Sequence, residues 1–191
     1  MSLWTLLARR AQDPKCAVRR SAVTALSALG TVSVPPAGPT ASLLAQRAAD
    51  SSRAVRRAAL AALGSFASRE GGAWSRAWVV AAWPRACDTE ASVAAQVLSD
   101  FTTIVIDRVL SNFQDDTLWQ LIEDADQPSS DMGKYMQKIC ALLAKEKKLP
   151  RKLVTNLEHA ITKTSRRGPW ILLAYVAPYC AEHITHKPVA D

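Results

Sequence analysis

Glycine is scarce, seven residues in 191, and regular alternation of β-branched with polar residues is nearly absent, so little or no strand is expected. The longest strongly apolar run, Trp170–Ala177, is too short to cross a bilayer, and no membrane partner is expected. The four cysteines, Cys16, Cys87, Cys140 and Cys180, are widely scattered and form no CxxC pair. That reads as reduced, buried thiols in a cytosolic or nuclear protein. There is no Gly-rich phosphate loop, no nucleophile elbow and no metal signature of standard spacing. An enzyme is therefore the least favoured class, and no cofactor is expected. Cys180, His183 and His186 fall within seven residues, with Glu182 among them. A structural zinc site normally needs four ligands and this tail is expected to fray, so no metal is assigned.

What the chain has is repetition. Residues 13–29 read DPKCAVRRSAVTALSAL and residues 50–66 read DSSRAVRRAALAALGSF, eight of 17 positions being identical at an offset of 37. A weaker third copy, DTEASVAAQVLSDF, starts 38 residues further on at Asp88 and keeps the Asp, Val93 and the apolar spacing. A period of 35–45 residues is the mark of a helical solenoid. Asp13 followed by Pro14 reads as a helix cap with proline in the first turn, and Asp50 and Asp88 hold equivalent places. Val18, Ala22, Ala25, Leu26 and Leu29 fall on one helical face. Arg19 and Arg56 border the seam of that face, whereas Arg20 and Arg57 point away from it.

The fold expected is all-α, a solenoid of antiparallel helix pairs. Helices are predicted over 2–11, 14–30, 41–49, 53–68, 73–86, 90–113, 117–125, 131–147, 151–165 and 169–184, with the proline-rich stretch 31–40 as a turn. The expected division is a repeat array of about three repeats over 1–114, further helical repeats over 115–187, and a disordered tail at 188–191. Trp74, Trp78 and Trp83 could stack on bases, but few basic residues interleave with them, which favours core packing. Arginine-rich residues 1–49 have the look of a transit peptide, yet the repeat running through them favours folded structure. With no polar capping repeat at either end, the expectation is a segment of a longer array.

The net charge of +7 is unevenly placed. Residues 1–70 carry ten Lys/Arg against three acids, residues 71–131 three against ten, and residues 132–191 eleven against four. Lys145, Lys147, Lys148, Arg151 and Lys152 crowd around Pro150, and Lys163, Arg166 and Arg167 close the following helix. Such a line of cations suits a phosphate backbone contacted without reading bases. Two plainer readings stand beside it: cations complementing a helix C-terminus, and a nuclear localisation signal in KEKKLPRK.

An Asp followed five residues later by Val-Arg and an Ala/Leu run resembles the HEAT repeat, over residues 1–101. The resemblance implies a ladder of Asp13, Arg19, Asp50, Arg56 and Asp88 holding successive repeats in register. Ala94 stands where the third copy should have its arginine, so the ladder is expected to end there. With the segment GKYMQKICALLAKEKKLPRKLVTNLEHAI added, the chain resembles the large HEAT-repeat subunit of condensin, more the condensin-II type. That implies a non-catalytic scaffold of mitotic chromosome condensation in the nucleus, with the cytoplasm also open. Its partners would be SMC ATPases, a kleisin, and DNA or chromatin. Two other classes remain: an importin- or adaptin-like transport scaffold binding peptides, for which the acidic block 88–131 would serve, and a kinase or phosphatase regulatory scaffold.

Overall fold

The structure, a computed structural model, describes residues 2–33, 35, 37–126 and 131–180. It is all-helical, with no strand among the described residues. The chain divides into two compact units, 1–100 and 101–191. The division falls earlier than the expected 114/115, inside the stretch read as one helix over 90–113.

The first unit holds α1 (Leu3–Arg10), α2 (Cys16–Leu29), α3 (Ala37–Ala48), α4 (Arg53–Glu70), α5 (Gly72–Ala82) and most of α6 (Ala91–Phe101). Helix α5 tightens into a 3-10 segment, Trp83–Cys87. The repeated helices α2 and α4 pack on each other, while α3 and α5 both pack on α4 and on each other. Leu26, Val55, Leu63, Val93 and Leu98 are buried as the repeat predicts; Val18, in the first turn of α2, is half-buried. The three tryptophans lie in this core. Trp74 stacks on Phe66 at 4.3 Å between ring centroids, and Trp78 meets Trp83 edge-on at 6.0 Å.

Two expectations need correction here. The repeat aspartates do not sit at the helix N-cap. The helices begin three residues later, at Cys16, Arg53 and Ala91. Each carboxylate instead accepts the N–H two residues ahead, Lys15 at 2.9 Å, Ser52 at 2.9 Å and Glu90 at 3.0 Å. This closes a small side-chain turn and delays the helix. The cysteines also differ from expectation. Cys140 and Cys180 are buried, but Cys16 and Cys87 are exposed.

The second unit begins with a turn of wider π geometry, Thr102–Ile106, and continues through α7 (Asp107–Ser111), α8 (Asp116–Ala125), α9 (Met132–Lys145), α10 (Arg151–Lys163) and α11 (Gly168–Cys180). Asp115 caps α8 by accepting the Leu118 N–H at 3.1 Å. Buried Asn156 on α10 donates to the Val109 and Leu110 carbonyls at 2.9 and 3.3 Å. It thereby satisfies acceptors left free at the end of α7. Gly168 lets α11 meet α8: a Cβ on it would lie 2.8 Å from the Trp119 Cα.

Candidate nucleic-acid interface

The ladder decides which cations stay free. In the first rung the Arg19 guanidinium donates to both oxygens of Asp50, from Nε at 2.8 Å and Nη2 at 2.7 Å. Its Nη1 donates to the Asp13 and Pro14 carbonyls, both at 2.9 Å. The second rung repeats this one copy on. Arg56 Nη2 donates to Asp88 Oδ1 at 3.0 Å, its Nε lies 3.0 Å from Oδ2, and Nη1 donates to the Asp50 carbonyl at 2.9 Å. Each arginine thus ties the turn of its own copy to the carboxylate of the next. Burial alone would push the Asp50 carboxyl up, but the Arg19 and Ser52 hydrogen bonds outweigh it and hold it below its ordinary value. Asp88 is likewise held down, against burial, by the Glu90 N–H and Arg56. Asp13 is bridged to no ladder arginine of another copy among the described residues; its carboxylate lies 3.6 Å from Arg10.

A third element of the repeat escaped the sequence reading. Arg10, Arg47 and Arg85 each stand three residues before a repeat aspartate, in RAQD, RAAD and RACD. Each lies within ion-pair distance of it, at 3.6, 3.2 and 3.8 Å. The signal was legible, but it lies upstream of where the copies were aligned.

The acids of the middle block are largely neutralised within the fold. Asp88 pairs with Arg56, Glu90 with Arg53 at 3.2 Å, Asp115 with Arg108, and Asp116 and Glu123 with Arg166. Arg166 therefore departs from its expected role. Its Nε and Nη2 donate to the two oxygens of Asp116, each at 2.6 Å, and its Nη1 to Gln120 at 2.7 Å. The Asp116 hydrogen bonds raise its pKa further still. A guanidinium so engaged is a clamp between α8 and the start of α11 rather than a free cation.

The cluster at the turn between α9 and α10 is different. Lys145, Lys147, Lys148, Arg151 and Lys152 are all exposed. Only Lys148 has a carboxylate partner among the described residues, Glu146 at 2.7 Å, and both of those side chains are close to half exposed, so that pair is weak. Lys147 holds the turn with φ at +56°, the left-handed region. Its N–H donates to the Ala144 carbonyl at 2.9 Å and the Lys148 N–H to Leu143 at 2.9 Å, closing α9 where glycine is the usual residue. Arg151 and Lys152 open α10. Lys163 at the end of α10 and Lys138 on α9, the latter not foreseen from the sequence, are also exposed and free of ion pairs among the described residues.

Arg167 is exposed and lines a groove of about 590 Å³ together with Asp126, Trp170, Ile171, Ala174 and Tyr175. Tyr175 donates its hydroxyl to Asp126 at 3.1 Å. A carboxylate in the groove makes it a poor seat for phosphate, so the α9–α10 turn is the stronger part of the candidate interface.

Among the described residues no three His, Cys, Asp or Glu side chains are placed to hold a metal ion. Glu182, His183 and His186 lie outside the described residues. No helix among the described residues is long and apolar enough to cross a membrane. Compared with models of known families and with curated proteins, the chain matches none.

Proposed function

We propose that the chain is a non-catalytic HEAT-type scaffold of the condensin kind, a solenoid segment that grips the DNA phosphate backbone. SMC ATPases and a kleisin would assemble on it in the nucleus, and the ATP chemistry would lie in those partners. Support for the repeat architecture comes from the two rungs, Arg19–Asp50 and Arg56–Asp88, which join consecutive copies through the same contacts. The observation that carries the nucleic-acid reading is an imbalance. The acids of 88–126 are mostly bound to arginines of the same chain, while Lys145, Lys147, Arg151 and Lys152 face solvent with no ion pair among the described residues. Unneutralised cations fit a polyanion. The same imbalance weakens the transport reading, because a basic peptide would find few free carboxylates in the acidic block.

Duplex binding measured against salt tests this. About four phosphate contacts imply a log–log slope of about −3.6. The triple variant Lys147→Glu, Lys148→Glu, Lys152→Glu should flatten the slope by about 2 to 3 and weaken all sequences alike. An unchanged slope would remove the turn from the interface. A pull-down from nuclear extract that brings down no SMC protein would remove the condensin assignment.

A further inference from the structure

The second arginine of each of the first two copies makes no hydrogen bond or ion pair among the described residues. Arg20 and Arg57 follow the ladder arginines directly, on α2 and α4, and both are exposed. Neither has an ion pair or hydrogen bond among the described residues, although the cations around them do: Arg19 with Asp50, Arg56 with Asp88, Arg53 with Glu90. The two helices pack against each other, so equivalent positions on them stand about one helix spacing apart, roughly 8–10 Å.

Apart from Arg53, which is paired with Glu90, the rest of that face is small. The exposed positions of α2 and α4 include Ala17, Ser21, Thr24, Ala54 and Ala61, and none of the exposed large apolar residues lies on either helix. A docked protein segment would need apolar or aromatic anchors, and this surface offers none. Small side chains between guanidinium groups instead allow a sugar–phosphate backbone to come close, and a free guanidinium matches a phosphate bidentately.

We infer that Arg20 and Arg57 form a second phosphate-contact surface, on the repeat unit and distinct from the α9–α10 turn. The ladder arginines fix the start of each helix, and thereby the position at which the next arginine leaves it. The inference rests on the nucleic-acid reading proposed above, but it invokes different residues and can fail independently.

The test uses the full chain, a 30-base-pair duplex of mixed sequence, and binding by fluorescence anisotropy over a range of salt. Arg20→Glu with Arg57→Glu should flatten the log–log slope by about 2, one phosphate for each arginine at about 0.9. Arg20→Lys with Arg57→Lys should keep most of the slope. Thermal melts should be unchanged, since neither side chain touches the core. A slope equal to that of the unaltered chain overturns the inference. So does a double variant that loses binding to polyglutamate while holding the duplex normally, which would assign the face to an acidic protein. If the α9–α10 triple variant binds as the unaltered chain does while Arg20→Glu/Arg57→Glu is weakened, the turn fails and this surface stands. If the unaltered chain binds no duplex, both fall.

Discussion

The carboxyl group of Asp100 fills the space into which a side chain at Gly64 would project. A Cβ on Gly64 would lie 2.6 Å from the Asp100 Cγ and 2.7 Å from Oδ2. Gln96 donates to Oδ1 at 3.0 Å, and Oδ2 has no hydrogen-bond partner among the described residues. Burial pushes this carboxyl up to about 7, against the opposing hydrogen bond from Gln96. In the repeat alignment the position belongs to a seam alanine, Ala62 in the second copy, so the third copy has placed an acid where its predecessors close-pack.

A pH dependence follows, with its sign fixed by the direction of the shift. The folded chain holds the Asp100 proton up to about pH 7, whereas the unfolded chain releases it near 3.8. The stability this group contributes is complete below about 3.8 and is lost as pH rises to about 7. The slope in that window is about 1.36 kcal/mol per unit, a few kcal/mol in all. Asp50 and Asp88, held below their ordinary values, act the opposite way and lose their contribution below about pH 4. Asp100→Asn should therefore be more stable than the unaltered chain at pH 8, and the difference should shrink toward pH 4. Urea midpoints at four pH values would show it; parallel curves would mean that Asp100 is ionised throughout.

Gly64 and Asp100 should also be coupled. Gly64→Ala should cost about 1–3 kcal/mol through overpacking, although alanine is the better helix former by about 1 kcal/mol. In an Asp100→Ala background the obstruction is gone, and the same change should become neutral or stabilising. Additive effects in a double-mutant cycle would show that the two side chains do not share that space.

The two arginines of each copy should separate in a melt. Arg56→Ala leaves the buried Asp88 carboxylate without its main partner and should cost about 3 kcal/mol or more. Arg57→Ala, on solvent-exposed helix, should stay within about 0.5 kcal/mol. Arg19→Ala should likewise exceed Arg20→Ala. Equal effects within either pair would show that the rungs do not hold the copies together.

The repeat register has its own test in the core. Leu63 is fully buried on α4, and Leu63→Ala should destabilise by about 2–5 kcal/mol. A change below about 0.5 kcal/mol in chemical denaturation would contradict that packing.

Much of this was legible in the sequence, for physical reasons. Helical period and apolar spacing located the helices, and the duplicated Val-Arg-Arg distinguished the arginine that borders the seam from the one that leaves it. Helix ends were less legible. Asp13 and Asp50 looked like caps, yet each carboxylate accepts a nearer N–H, and Asp50 is also held by Arg19 of the preceding copy, a demand that comes from tertiary structure. Arg166 looked like part of a charge line because its partners, Asp116 and Glu123, lie more than forty residues earlier. Asp100 gave no local sign at all, since its state depends on a glycine on another helix. The α9–α10 turn was readable as charge, but its backbone was not: KEKKLP contains no glycine at the position that turns left-handed.

That last feature gives the sharpest test of the candidate interface. A non-glycine residue in the left-handed region carries a cost of roughly 1–2 kcal/mol, and glycine is the residue that usually ends a helix in this way. Lys147 holds φ at +56° while its N–H and that of Lys148 close α9. Lys147→Gly relieves the strain and keeps both backbone hydrogen bonds, so it should raise stability by about 1 kcal/mol. It also removes one free cation from the turn, so duplex affinity should fall and the salt slope should flatten by about 0.9. Stability and binding thus move in opposite directions, which a merely structural lysine would not produce. Lys147→Asn, which also tolerates this backbone, should behave like the glycine variant on both readouts. If Lys147→Gly stabilises the chain and leaves the slope as it was, Lys147 does not contact phosphate and its charge at this turn is incidental. If the variant is less stable than the unaltered chain, the left-handed backbone is not strained, and the glycine has only loosened the unfolded ensemble.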